Sequence, residues 1–136
     1  MSDLNWLISC LIIASLLPYV AKVPLAWAMK KQGSGRDFGY NNEEPRSQQK
    51  LLTGFGARCL AAHENSFEAL ILFAASIILV IATGNVNQES SLLASVFIIS
   101  RVLYMIFYWI NWDKIRSTVW FVGIVSSIML MVNCLQ

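Results

Sequence analysis

Charge is what most of this chain lacks. Within its 136 residues, Leu4 to Ala21 and Ser117 to Gln136 contain no Asp, Glu, Lys or Arg, and Leu92 to Ile110 contain only Arg101. A chain that is 57% hydrophobic and interrupted so rarely is too apolar for an ordinary soluble domain. There is one histidine, too few for a His-based metal site, and no spacing of ligand residues suggests a metal centre. The three cysteines, Cys10, Cys59 and Cys134, are odd in number and lie in apolar runs, so no disulfide framework is implied. No internal repeat is present, and a formal net charge of +2 points to no nucleic-acid partner.

What is present is hydrocarbon of membrane length. A roughly 30 Å bilayer core needs about 20 apolar residues in a helix, and four stretches qualify. The expected helices cover residues 4–29, 57–82, 92–111 and 116–135, with one loop at 30–56, in a single domain over 1–136. Short links favour antiparallel neighbours, so the fold class is all-α: an antiparallel four-transmembrane-helix bundle. Pro18 and Pro24 are expected to kink the first helix or mark its end. That helix is expected to stay in the protein rather than be cleaved as a signal peptide. Its basic residues Lys22, Lys30 and Lys31 follow the apolar run instead of preceding it. The first connection holds Lys30, Lys31, Arg36, Arg46 and Lys50, and the third adds Lys114 and Arg116. The second, TGNVNQESS, has neither Lys nor Arg. The positive-inside rule therefore puts the first and third connections in the cytoplasm and both termini outside.

The second helix is anomalous. Its uncharged part, ALILFAASIILVIA, reaches only roughly 21 Å, so its opening turns, with Arg58, His63, Glu64, Asn65 and Glu68, must supply the rest. At about 100° per residue, Arg58, Asn65 and Glu68 share one face, whereas His63 points away and reads as a packing residue. Glu68 and Arg101 each lie about 15 Å from the cytoplasmic ends of their antiparallel helices. Charges at such depth need a partner or a wet cavity. We therefore expect a buried Glu68–Arg101 ion pair, or one polar ligand shared by both. Tyr104 and Tyr108 fall on Arg101's face, and Arg116 stands at the mouth of the last helix beside Ser117. Together with Arg58 these groups would line a cavity in the cytoplasmic half, suited to a small zwitterionic ligand with excess carboxylate. A lipophilic second reactant would arrive from the bilayer.

The combination Arg58-Cys59-Leu60, Ala62-His63, Asn65, Glu68, Arg101-x-x-Tyr104-x-x-x-Tyr108 and Arg116-Ser117 resembles the MAPEG family, the membrane-associated proteins in eicosanoid and glutathione metabolism. Within it the likeness is to microsomal glutathione transferases. The resemblance covers most of the second and third helices and the start of the fourth. It implies a homotrimer that binds glutathione as co-substrate near the cytosolic side between subunits. Arg58, Asn65, Glu68, Arg101, Tyr104 and Tyr108 would be its ligand-binding residues, and Arg116 with Ser117 the thiol-activating ones. Ala61 and Glu64 stand where eicosanoid synthases commonly carry basic residues, and Trp120 where some carry tyrosine, which argues against prostaglandin or leukotriene synthesis. The leading expectation is a membrane glutathione transferase or peroxidase acting on a lipophilic electrophile or lipid hydroperoxide. The alternatives are a noncatalytic lipid-binding or scaffold protein of the same fold, and a small transporter using Glu68 and Arg101 as a relay.

Overall fold

The computed structural model describes residues 2–33 and 39–135. Arg36, counted above among the cations of the first connection, lies outside them. Four long helices, α1 (Asp3–Gln32), α3 (Gly54–Thr83), α4 (Gln88–Trp109) and α5 (Asp113–Val132), carry the chain back and forth. Each is long and apolar enough to cross a membrane. A 3-10 turn, Asn133–Leu135, follows α5. A five-residue helix that hydropathy did not announce, α2 (Pro45–Gln49), sits in the first connection. No strand longer than an isolated bridge occurs among the described residues. In hydrocarbon, each backbone N–H and C=O must find its partner within the segment, and a helix meets that demand alone.

The ends of these helices are written locally. Ser2 caps α1, its Oγ accepting from the Asn5 N–H, with Asp3 complementing the dipole in the first turn. Both prolines of α1 are accommodated without ending it. Gly84 ends α3 in the left-handed region, with φ 74°. Asn87 and Ser90 then start α4 with reciprocal side-chain-to-backbone bonds. Between α4 and α5 the left-handed residue is Asn111, φ 63°, one of the few non-glycine types that tolerate it. The Trp112 N–H reaches back to the Phe107 carbonyl at 2.9 Å, and the two rings stack 5.7 Å apart. This tight reversal brings the first turns of α5 beside the last turns of α4.

The close approach of α4 and α5 follows membrane logic, with small residues at the contact. The closest pairings are α1 with α3 and α4 with α5. Where α5 meets α4, Gly123 lies so near Ser100 that a Cβ there would stand 2.6 Å from the Ser100 hydroxyl oxygen. Ser126 and Ser127 continue that small face. The central core joins Leu7, Cys10, Phe73, Ile77, Phe97 and Leu130, and the Phe73 and Phe97 rings stack at 3.9 Å. Large apolar side chains such as Val23, Ile71 and Ile78 point outward, toward what would be acyl chains.

Among the described residues of the first connection, one side chain gathers the contacts. Gln48 is 2% exposed; its Nε2 donates to the Met29 and Gly39 carbonyls, and its Oε1 accepts from the Asn41 N–H. It ties α2 to the end of α1, over a cluster of Leu25, Met29, Leu52 and Cys59.

Candidate ligand-binding site

The polar face of α3 and the polar face of α4 meet. Arg101, 3% exposed, donates from Nη2 to the Asn65 side-chain oxygen at 2.8 Å. Asn65 in turn donates from Nδ2 to Glu68 Oε2, also at 2.8 Å. The anticipated direct pair is thus replaced by a relay: Asn65 stands between the cation and the carboxylate. The physical reason is the lean of side chains toward a helix's own N-terminus. Glu68 folds back over Asn65, one turn earlier on α3, and the amide can satisfy both neighbours because it donates and accepts at once.

From Arg101 the relay continues through ring faces. The guanidinium carbon lies 4.3 Å from the Tyr104 ring centroid, and Tyr104 meets Tyr108 edge-on at 5.4 Å. Arg116, delivered by the Asn111 reversal, lies 4.1 Å over the Tyr108 ring. Glu68, Asn65, Arg101, Tyr104, Tyr108 and Arg116 therefore form one continuous ladder from mid-helix α3 to the start of α5. A cavity of about 350 Å³ opens along its lower half, lined by Tyr104, Tyr108, Arg116, Ser117, Trp120 and Phe121. Arg116 has no ion-pair partner among the described residues. Its guanidinium donors are free to meet an anion there.

Two expected site residues stand apart from this ladder. Arg58 lies 6.0 Å from the Phe55 ring, and its Nε is buried without a hydrogen-bond partner. No hydrogen bond, ion pair or ring contact joins it to Asn65 or Arg116. Ser117 lines the cavity, but its hydroxyl donates to the Asp113 carbonyl at 3.0 Å, so only its oxygen lone pairs face a ligand. Trp120 and Phe121 are cavity walls to which sequence reading gave no site role. Helical spacing held the signal, since they follow Arg116 and Ser117 by one turn. His63 donates from Nδ1 to the Pro18 carbonyl at 2.8 Å, joining α3 to α1. Glu64 is exposed and belongs to a different groove, away from the cavity.

Four membrane-length helices around a half-buried polar ladder, with a cavity at one mouth, define an integral membrane protein with a polar site inside its transmembrane bundle. The chain belongs to the MAPEG family, whose model matches residues 6–136. Membership ties it in general to membrane chemistry of glutathione or eicosanoid metabolism. Comparison with curated proteins gave no match, and comparison with solved structures gave none.

Proposed function

We propose that this protein is a membrane glutathione transferase or peroxidase, working as a homotrimer with the first and third connections on the cytoplasmic side. The observation that carries the reading is Arg116, a cation without a carboxylate partner at the lip of the cavity, positioned by Tyr108. A thiol's ordinary pKa is near 8.5, and an adjacent cation favours the thiolate, the nucleophilic form. Arg116 does not remove the proton, since arginine stays charged; water or buffer accepts it. The thiolate sulfur then bonds to the carbon of a lipophilic electrophile and expels its leaving group. With a hydroperoxide it takes the terminal oxygen instead, releasing the alcohol, and a second glutathione converts the sulfenic acid to a disulfide and water.

The other groups fit a tripeptide of mixed charge. Asn65 occupies one oxygen of Glu68, leaving the second for the ligand's ammonium. Arg101, almost wholly buried, steadies Asn65 rather than reaching ligand. Tyr104 and Tyr108 orient the peptide, and Arg58 would meet a carboxylate. Glu68 is exposed in the single chain, although a charge at that depth is costly in lipid; a second copy of the chain would relieve that cost by covering it, which favours the trimer. Positive residues flanking the first and third connections support the orientation.

The test is purified protein with glutathione and a chlorinated nitroaromatic, or with a fatty-acid hydroperoxide. Turnover that depends on Arg116 upholds the reading, and unchanged turnover in Arg116→Ala removes that residue from it. A noncatalytic lipid-binding or scaffold role is favoured by Ser117's commitment to the backbone and by Arg58's separation from the ladder. That role predicts no thermal shift with glutathione.

A further inference from the structure

A second groove, of about 340 Å³, lies on another side of α3, between that helix and α2. Its walls include Arg46, Gln49, Lys50, His63, Glu64 and Phe67. His63 is about 140° around the helix from Glu68, so this groove is separate from the ladder. Lys22 of α1 is half-buried nearby, close enough to Arg46 for their like charges to repel. None of Lys22, Arg46 or Lys50 has an ion pair or side-chain hydrogen bond among the described residues. Two cations, Arg46 and Lys50, thus line a groove that carries one carboxylate, Glu64, and a third, Lys22, stands near Arg46.

Depth narrows what such a groove can hold. Counting a roughly 30 Å hydrocarbon core back from the α3 terminus at Thr83 reaches about residue 63, and counting forward along α1 from Leu4 reaches about residue 24. Both counts put the cationic groove where acyl chains give way to headgroups. Below it the wall is apolar and outward-facing: Tyr19, 64% exposed, meets Phe67 edge-on at 6.1 Å, and Ile71 is 73% exposed. Phosphate-binding groups above an apolar track match an amphiphile's two halves.

We propose that this groove is a binding site for an anionic phospholipid. Its phosphate lies among Lys22, Arg46 and Lys50, and an acyl chain runs down past Phe67 and Tyr19 toward Ile71. Juxtamembrane cations attract anionic lipid in proportion to their number, and a groove that fixes them adds geometry to that attraction. Gln49 supplies a neutral donor, and His63, held by Pro18, keeps Phe67 in place through their edge-on contact.

The full chain, purified in nonionic detergent, is titrated with phosphatidylglycerol, with phosphatidylcholine and with inorganic phosphate. Thermal unfolding and native mass spectrometry are the readouts. Phosphatidylglycerol is expected to bind and raise Tm, while the other two do neither. The Arg46→Gln/Lys50→Gln double variant, altered only at surface positions, should weaken that binding on the order of tenfold or more. Phe67→Ser should weaken it while leaving both charges in place. Equal binding of phosphatidylcholine, an equal shift with inorganic phosphate, or an unaffected double variant overturns the proposal. So does a disulfide between two copies of a Phe67→Cys variant in the lipid-free protein, because the groove is then an interface between subunits.

Discussion

The two ends of this bundle treat polar groups in opposite ways. At the end formed by the start of α1, the start of α4 and the close of α5, the side chains satisfy one another. Ser91 donates to Asp3 at 2.8 Å, Trp6 donates to Ser95 at 2.8 Å, and Asn133 donates to Glu89 at 2.9 Å. Each bond joins two different helices or their extensions, so that end is clasped. At the other end three of the cations lie against rings: Arg116 on Tyr108, Lys31 over Trp27 at 4.9 Å, Arg58 toward Phe55. A cation on a ring keeps its N–H donors available, whereas one in an ion pair has used them. The clasped end holds the bundle together, and the open end retains unmet hydrogen-bonding capacity where a ligand can collect it.

That contrast can be broken experimentally. The largest expected effect is at the open end. Arg116→Ala should lower glutathione-dependent turnover on the order of a hundredfold, as loss of a preorganised charge stabiliser does, while Tm changes little; steady-state kinetics beside thermal unfolding in detergent separates the two. At the waist between the ends, Gly123→Ala pushes a methyl group against Ser100 and should destabilise by about 1–3 kcal/mol, the usual range for overpacking. Adding Ser100→Ala to that variant should recover part of the loss, and a double-mutant cycle on Tm measures how much. At the clasped end, Ser91→Ala removes a hydrogen bond to a carboxylate near the surface. A loss of about 1 kcal/mol with turnover unchanged is expected; turnover that fell with it would show the ends are coupled. Trp6→Phe keeps the ring and drops the indole N–H, for a smaller loss of about 0.5 kcal/mol.

Much of the fold was legible because the bilayer accepts so few solutions. Long uncharged runs read as spans, and the fold class followed. The short helix α2 and the Gln48 tie were not legible, since five residues carry no periodicity and one neutral amide resembles any other in a polar loop. The site divides similarly. Placing Arg101, Tyr104 and Tyr108 on one face needed only helical spacing. Asn65 was counted as a ligand residue but not as the link between Arg101 and Glu68, because opposite charges suggested a direct pair. Arg58 shares the azimuth of Asn65 yet lies two turns lower, beyond the ladder's contacts.

Composition and order of residues were enough to require helices, their number and their membrane setting, because backbone polar groups in hydrocarbon must be satisfied within each segment. Which side chains touch depended on how each helix is rotated and slid against its neighbours. Those two degrees of freedom are set by packing, by the close approach at Gly123 and by the reversal at Asn111. They turned a set of scattered polar residues into a relay that ends on Arg116.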